Sequence, residues 1–245
     1  MPKPCSAQVI IIGGGLAGLS AAIYLGRAQR QTLVIDDGHS MARWEPVVQN
    51  YLGFPDGIGG PELLKRGRAQ ARACGVRFAR DHILTARTNK NRFNLRGEKS
   101  VYTCERLLRA TGIFHIPPDI PGVMPCLGHS MFFCKDCDGV RVRGKTVAIY
   151  GSTNEAVEYA LGLLLYTHRV VLLTDGHKVR WDDRHAHWLT EYEVPICHEP
   201  IVNVNHKRRH LPALIMKDGS RIHADALFTT RGDVSRLRRW LNRQL

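Results

Sequence analysis

With 245 residues, 44% of them hydrophobic and 23% charged, the chain has ordinary globular composition and apolar material for one or two cores, which excludes a disordered or fibrous protein. Its seven cysteines, odd in number and irregularly spaced, exclude an extracellular disulfide framework and fit a reducing, cytoplasmic setting. The formal charge of +13 is unevenly placed: residues 1–113 carry 17 basic and 8 acidic side chains, residues 114–205 carry 8 and 11, and residues 206–245 carry 10 and 3.

Val9-Ile10-Ile11-Ile12 predicts a fully buried strand, far too short for a signal core or a membrane span. Gly13-Gly14-Gly15-Leu16-Ala17-Gly18 then leads into the helical run Leu19 to Leu25, the strand, turn and helix that a dinucleotide fingerprint requires. In that pattern Gly13 makes the tight turn, Gly15 lets the backbone approach a pyrophosphate, and Gly18 lets helix and strand pack closely. The helix N-terminus at Leu16 and Ala17 faces the phosphates. Thr32 to Ile35 is the next strand and ends in Asp36-Asp37, where a ribose-binding acid belongs. The bare alternative is a tight turn without a ligand; strand, helix, second strand and terminal acid together favour a bound dinucleotide.

Trp44 to Gly57, rich in Gly, Pro and Asn, predicts a loop, and a loop of that length in a compact domain is often functional. Glu62 to Cys74 predicts a helix, Val76 to Phe78 a short strand, and Ile83 to Cys104 a β-rich stretch with turns at Asn89 to Asn91 and at Gly97. Arg106 to Arg109 is expected as a further strand, ending in the small-residue turn Ala110-Thr111-Gly112, where backbone can lie near a ligand. The proline-rich residues 114–126 have linker composition, so a domain boundary is expected there, with a first domain over 1–113, a second over 114–235 and a last segment over 236–245. Lys145 to Tyr150 is a strand, Gly151 to Ala156 a turn, Val157 to Tyr166 a helix, and Val170 to Leu173 the strand after it, a second βαβ unit. The second turn is damaged, because Thr153 stands where the fingerprint has its second glycine and its Cβ would crowd a pyrophosphate. Lys207-Arg208-Arg209 stands alone without an aromatic ladder, so no nucleic-acid partner is expected; the basic ends remain compatible with peripheral contact at an anionic membrane surface.

The stretch that carries chemistry is Phe132-Phe133-Cys134-Lys135-Asp136-Cys137-Asp138-Gly139. Two residues between cysteines place the thiols for disulfide exchange or for half of a metal site. Asp138 favours redox use, since making a thiolate needs a nearby proton acceptor and a carboxylate supplies one. Zinc held by Cys126, His129, Cys134 and Cys137 stays open as an alternative, although only four residues separate its two halves.

Gly13 to Gly18, Gln49-Asn50-Tyr51, Ala110-Thr111-Gly112, the Cys134 to Gly139 motif and the second βαβ unit, in this order, resemble the thioredoxin-reductase family of flavoproteins. The resemblance implies an α/β fold of two Rossmann-like dinucleotide-binding modules, with FAD on the first. It places Gly13, Gly15, Gly18 and Asp36 toward the adenosine side and Asn50 toward the flavin. It further implies that Cys137 faces the isoalloxazine and forms a charge-transfer thiolate, that Cys134 is the exchanging thiol, that Asp138 handles the proton, and that the protein is a homodimer with a rotating second domain. A dithiol or disulfide protein, or a small thiol, is the expected partner.

Two departures shape the expectation. Reductases of this family that use NADPH carry a His-Arg-Arg run after the second module's next strand, whereas Thr174-Asp175-Gly176-His177 stands here, and an acid repels a 2′-phosphate. Thr153 and Asp175 therefore argue against NADPH. Together with Ser40 to Pro46, which includes Arg43 and Trp44, the pattern is similar to the diflavin-linked disulfide oxidoreductase branch, which implies a second FAD at Gly151, Thr153 and Asn154 in the second module and electron flow from dithiol to flavin. The second departure is the end of the chain: family members return to the FAD domain with further strands, and here Arg236 to Leu245 reads as one short basic helix, so the first module is expected to lack its C-terminal part. Two alternatives are an NADPH-dependent thioredoxin-disulfide reductase and a truncated flavoprotein remnant without catalysis.

Overall fold

The computed structural model describes residues 5–230 and 233–235. The expected turn residue Gly232 and the expected helix over 236–245 lie outside the described residues. The chain divides into two compact units, residues 1–114 with 234–245 and residues 115–233.

The first unit begins with β1 (Cys5–Ile12), α1 (Leu16–Arg27) and β2 (Thr32–Ile35). Ile10 and Ile11 are wholly buried on opposite faces of β1, which is why this strand reads as a continuous apolar run. Burying each stabilises the fold by about 1.5–3 kcal/mol. α2 (Gly60–Ala73), β3 (Arg77–Ala79), β4 (Ile83–Asn89), β5 (Arg92–Gly97) and β6 (Val101–Arg109) complete a six-stranded sheet in the order β3-β2-β1-β6-β5-β4. Its first four strands are parallel, and β4 and β5 join as an antiparallel extension. The expected separate strand at Arg106 is corrected: β6 runs unbroken from Val101 to Arg109, paired along one edge with β1 from Cys5 to Ile12. A continuous partner strand removes any reason to break at Glu105.

β7 (Ile113–His115) opens the stretch of linker composition, and the division between the two units falls at its start, after Phe114, with the remainder packed into the second unit. Ile120, Val123 and Cys126 are buried in the second unit's core, and Val204 N–H donates to Pro121 O at 2.9 Å. The prolines stiffen a segment that packs rather than one that only spans.

The second unit continues with β8 (Met131–Phe132), α3 (Lys135–Asp138), β9 (Val147–Tyr150), α4 (Asn154–Leu163) and β10 (Val170–Leu173). α4 starts at Asn154, three residues before the expected Val157, so Asn154 to Ala156 form its first turn. α5 (Asp183–Glu191), β11 (Ile196–Cys197), β12 (Ile201–Lys207), β13 (His210–Met216), β14 (Arg221–His223) and β15 (Ala226–Thr229) follow. A parallel sheet runs β11-β10-β9-β15-β8, and β12-β13-β14 form a separate antiparallel meander. Finally β16 (Asp233–Ser235) pairs with β7. No helix among the described residues is long and apolar enough to cross a membrane.

Candidate functional site

A cleft of about 790 Å³ opens at the C-terminal edge of the first unit's parallel strands. Strand order explains its position, since β1, β2, β3 and β6 all end at this edge and each hands a turn to it. Its lining includes Gly13, Gly15, Leu16, Ala17, Asp36, Asp37, Ala110, Thr111 and Gly112, all singled out above.

The three fingerprint glycines differ in what a side chain would meet. Gly13 has φ +108°, and a Cβ there would fall 2.7 Å from the Ala110 carbonyl carbon and nearer still to its oxygen. At Gly18 a Cβ would stand 3.1 Å from Gly13 C and again nearer to the oxygen, so α1 can lie against β1 only with glycine here. Gly15 is different: its φ of −76° suits any residue, and the nearest atom to a Cβ is Ser40 Oγ at 3.3 Å. Backbone packing demands the first and third glycines. The second faces cleft space at the N-cap of α1, where unpaired N–H groups attract an anion. Room without a side chain at a helix N-terminus fits the pyrophosphate of a dinucleotide.

Asp36 does more than line the cleft. Its Oδ1 accepts the N–H groups of Gly14 at 3.2 Å and Gly38 at 3.3 Å, and its Oδ2 pairs with Arg68 Nη2 at 2.6 Å. It therefore braces the fingerprint turn, and Asp37, with His82 Nδ1 at 3.0 Å, is the second acid at the cleft. Arg43 donates to Gly38 O at 2.6 Å, Trp44 is 53% exposed and Asn50 is exposed; these three are not among the lining residues. In their place Ser40, Met41, Ala42, Asp81, His82 and Leu84 contribute. The signal for Asp81 to Leu84 was the position of β3 beside β2, which carries the turn after β3 to the same edge.

The second unit holds the cysteine pair. β8 carries Phe132 into the core, and the chain then turns into α3 with Cys134 as its N-cap. Cys134 and Cys137 are joined as a disulfide, with Cys134 half-buried and Cys137 exposed. Phe133 is fixed between them and the core by two contacts, its carbonyl accepting Tyr159 Oη–H at 2.9 Å and its ring stacking on His115 at 4.6 Å. Asp138 closes α3 and is buried. Burial pushes its carboxyl above the usual carboxylate range, and the hydrogen bond and charge of Arg141 pull it part of the way back. Gly139 follows because any Cβ there would run into the Tyr166 ring.

The four candidate zinc ligands are not brought into one set. Two are tied up in the disulfide, Cys126 is buried with its thiol pushed up by burial, and His129 Nε2 lies 3.2 Å from Arg209 Nη1. No cluster of three or more metal-binding side chains occurs among the described residues.

At the second glycine turn, Thr153 is the N-cap of α4 with extended backbone, and it forms an isolated parallel bridge with Arg180. Gly151 packs closely, since a Cβ would meet Ala156 Cβ at 2.7 Å. Asn154 is occupied on both sides by Asp182, donating to its carboxylate at 3.0 Å and accepting its N–H at 2.9 Å. Asp175, at φ +53°, accepts the Ile201 N–H at 2.6 Å and the Tyr150 hydroxyl at 2.8 Å. Both its oxygens hold the turn after β10.

The model of the family described as pyridine nucleotide-disulphide oxidoreductase matches residues 7–237. A thioredoxin reductase of Coxiella burnetii is 35% identical over 184 residues, 74% of this chain and 57% of that protein. A thioredoxin reductase of Treponema pallidum is 35% identical over 168 residues, 68% of this chain and 55% of that protein. The chain thus spans a little over half the length of these relatives. Among solved structures, that of HlmI superposes with a TM-score of 0.85 at 27% identity, over 94% of this chain and 73% of that one.

Proposed function

Because the chain belongs to the pyridine nucleotide-disulphide oxidoreductase family, we propose that it is an FAD-dependent disulfide oxidoreductase that exchanges electrons with a dithiol or disulfide partner through Cys134 and Cys137. The observation that carries this reading is a disulfide followed directly by a buried carboxyl whose proton affinity is raised. A thiolate leaving the disulfide needs a proton, and a thiol being oxidised must lose one; Asp138 serves either need. FAD, when bound, supplies a two-electron acceptor and donor. Gly13, Gly15 and Gly18 with the N-terminus of α1 would hold its pyrophosphate, Asp36 and Asp37 would lie toward its adenosine, and the Ala110 to Gly112 turn would border it. Tyr159 and His115 keep Phe133, and with it the Cys134 backbone, in place for a partner's sulfur.

NADPH is the weaker candidate for reductant. Thr153 narrows the second turn, and Asp175 adds a negative charge where a 2′-phosphate needs a cation. The competing reading, a thioredoxin reductase driven by NADPH, is favoured by the names of the relatives at 35% identity and brings a thioredoxin-like protein as partner. Anaerobic mixing of oxidised holoprotein with dithiothreitol, and separately with NADPH, distinguishes the two. Flavin bleaching by the dithiol and none within seconds by NADPH is expected. Rapid bleaching by NADPH alone would establish the competing reading, and bleaching by neither would overturn both.

A further inference from the structure

Asp138 is 5% exposed at the end of a four-residue helix. A buried carboxylate is unfavourable unless a cation and hydrogen bonds hold it. Arg141, three residues on, places Nη1 2.8 Å from Asp138 Oδ1. That guanidinium is itself pinned twice, Nη2 donating to Gly128 O at 3.1 Å and the group lying 4.6 Å from the centre of the Phe132 ring. Its anchors are therefore the strand that delivers Cys134 and the turn that precedes it. A planar, forked cation held on three sides has little freedom to leave its carboxylate.

Other titratable groups stand nearby among the described residues, including Tyr159 of α4, whose ring centre lies 5.8 Å from Lys135 Nζ. Lys135, on the same helix as Asp138, places its ammonium 2.8 Å from Asp136. Beyond Arg141 stand His129, Arg209 from the β12–β13 turn and His210 at the start of β13; burial first, then Arg209, Arg141 and His210, hold His129 below the usual imidazole range, so it is neutral near pH 7. Cys134 and Cys137 carry no charge as a disulfide.

We propose that Arg141 is a positioning residue that sets how tightly Asp138 holds its proton, and so the pH range in which the Cys134–Cys137 pair reacts with a dithiol. The proposal rests on the reading of Asp138 as proton carrier. A partner thiolate attacks Cys134 Sγ and forms a mixed disulfide. The bond to Cys137 breaks with its electron pair on Cys137 Sγ, which takes the proton of the Asp138 carboxyl. The partner's second thiol gives its proton to solvent, attacks its own sulfur in the mixed disulfide, and releases Cys134 as a thiolate. Two electrons have then passed from the partner, now a disulfide, to the protein's cysteines. Without the charge of Arg141 the buried carboxyl is a weaker acid that keeps its proton to higher pH.

The test uses oxidised holoprotein and dithiothreitol, quenched with an alkylating agent and read by intact mass from about pH 5 to about pH 9, a span that brackets carboxyl and thiol titrations. Parent, Arg141→Gln, Arg141→Lys, Asp138→Asn and the double variant Asp138→Asn/Arg141→Gln are compared, and dividing each rate by the parent rate cancels the reagent's own titration. The Arg141→Gln ratio should climb about tenfold with rising pH, the size of effect one adjacent opposite charge has on a carboxyl. Arg141→Lys should give a flat ratio, and the double variant should follow the profile of Asp138→Asn. A flat Arg141→Gln ratio beside an altered Asp138→Asn profile overturns the role of Arg141 and leaves that of Asp138 standing. A parent-like profile for Asp138→Asn overturns the proton-carrier reading and this proposal with it. A pH-dependent difference between the double variant and Asp138→Asn shows Arg141 acting elsewhere, which also overturns it. Should Arg141→Gln fail to fold, Arg141→Met removes the charge while filling the space, with the same expected and contrary results.

Discussion

The contrast between Gly15 and Gly18 separates a cofactor seat from a packing contact in one experiment. At Gly18, a Cβ 3.1 Å from Gly13 C and nearer to its oxygen meets backbone that cannot rotate away, so α1 must lift from β1. Overpacking of this kind costs about 3 kcal/mol, which for a unit of this size lowers the melting temperature by roughly 10 °C. Gly15→Val meets only Ser40 Oγ at 3.3 Å, the end of a side chain that can turn, in backbone that any residue adopts. The loss of a good N-cap and the smaller entropy of the unfolded chain nearly cancel, leaving stability within about 1 kcal/mol of the parent. On the proposed reading its Cβ would nevertheless stand where the N–H groups of α1 would meet the pyrophosphate. Losing two charge-assisted hydrogen bonds amounts to about 3 kcal/mol or more, a fall in FAD affinity of over about a hundredfold. Thermal unfolding of the apoproteins by circular dichroism and FAD titration by fluorescence read the two quantities separately. Parent-like FAD affinity in Gly15→Val would refute the assignment of this turn, and parent-like stability in Gly18→Ala would refute the packing argument.

Three further outcomes are expected. Asp81 accepts the Tyr102 hydroxyl at 2.8 Å and the N–H groups of His82 and Ser100; burial alone would raise its carboxyl, but these bonds hold it below the usual range. Asp81→Asn should therefore cost about 2–3 kcal/mol near neutral pH by denaturant unfolding, and because a depressed folded pKa stabilises only above the unfolded value, the gap should close as the pH falls below about 4. Tyr102, whose hydroxyl is pushed up to about 12 by burial and by Asp81, should stay protonated in an ultraviolet titration until it reaches that range. Introducing Arg at Asp175 should weaken the second unit, since Tyr150 and Ile201 lose their acceptor, and a gain of NADPH reactivity without loss of stability would contradict the role given to that turn.

What was legible in the sequence was local. Val9 to Gly18 declares strand, turn and helix within ten residues, because the apolar run, the glycines and the following helix formers all belong to one βα step. The motif around Cys134 was equally compact. What escaped depended on distant partners or on missing signals. α5 turns His185 and Leu189 inward, and with a histidine supplying half of its buried face the stretch does not read as an apolar run. The turn joining β12 to β13 uses Arg208 at φ +51° and Arg209 at φ +70°, where a hairpin signal would be glycine or asparagine, so a basic tripeptide concealed a turn. The ion pair of Asp138 with Arg141 was only three residues apart but needed the burial of Asp138 and the anchoring at Gly128 and Phe132 to acquire meaning. Asn50, Arg43 and Trp44 were named from resemblance, and although Ser40 to Ala42 just before them line the cleft, these three do not.

The central claim, that FAD and the Cys134–Cys137 pair exchange electrons, is tested most directly by the absorption spectra of two single variants of the holoprotein. On the proposed reading Cys137, next to Asp138, would meet the flavin and Cys134 would meet the partner. A lone thiolate against oxidised flavin donates charge into it and produces a broad long-wavelength band, which a disulfide does not give. Cys134→Ser should show that band and Cys137→Ser should lack it, with dithiol turnover lost in both because a lone cysteine forms a mixed disulfide it cannot resolve. A band in Cys137→Ser alone would reverse the two roles, and parent-rate turnover in both variants would contradict the account.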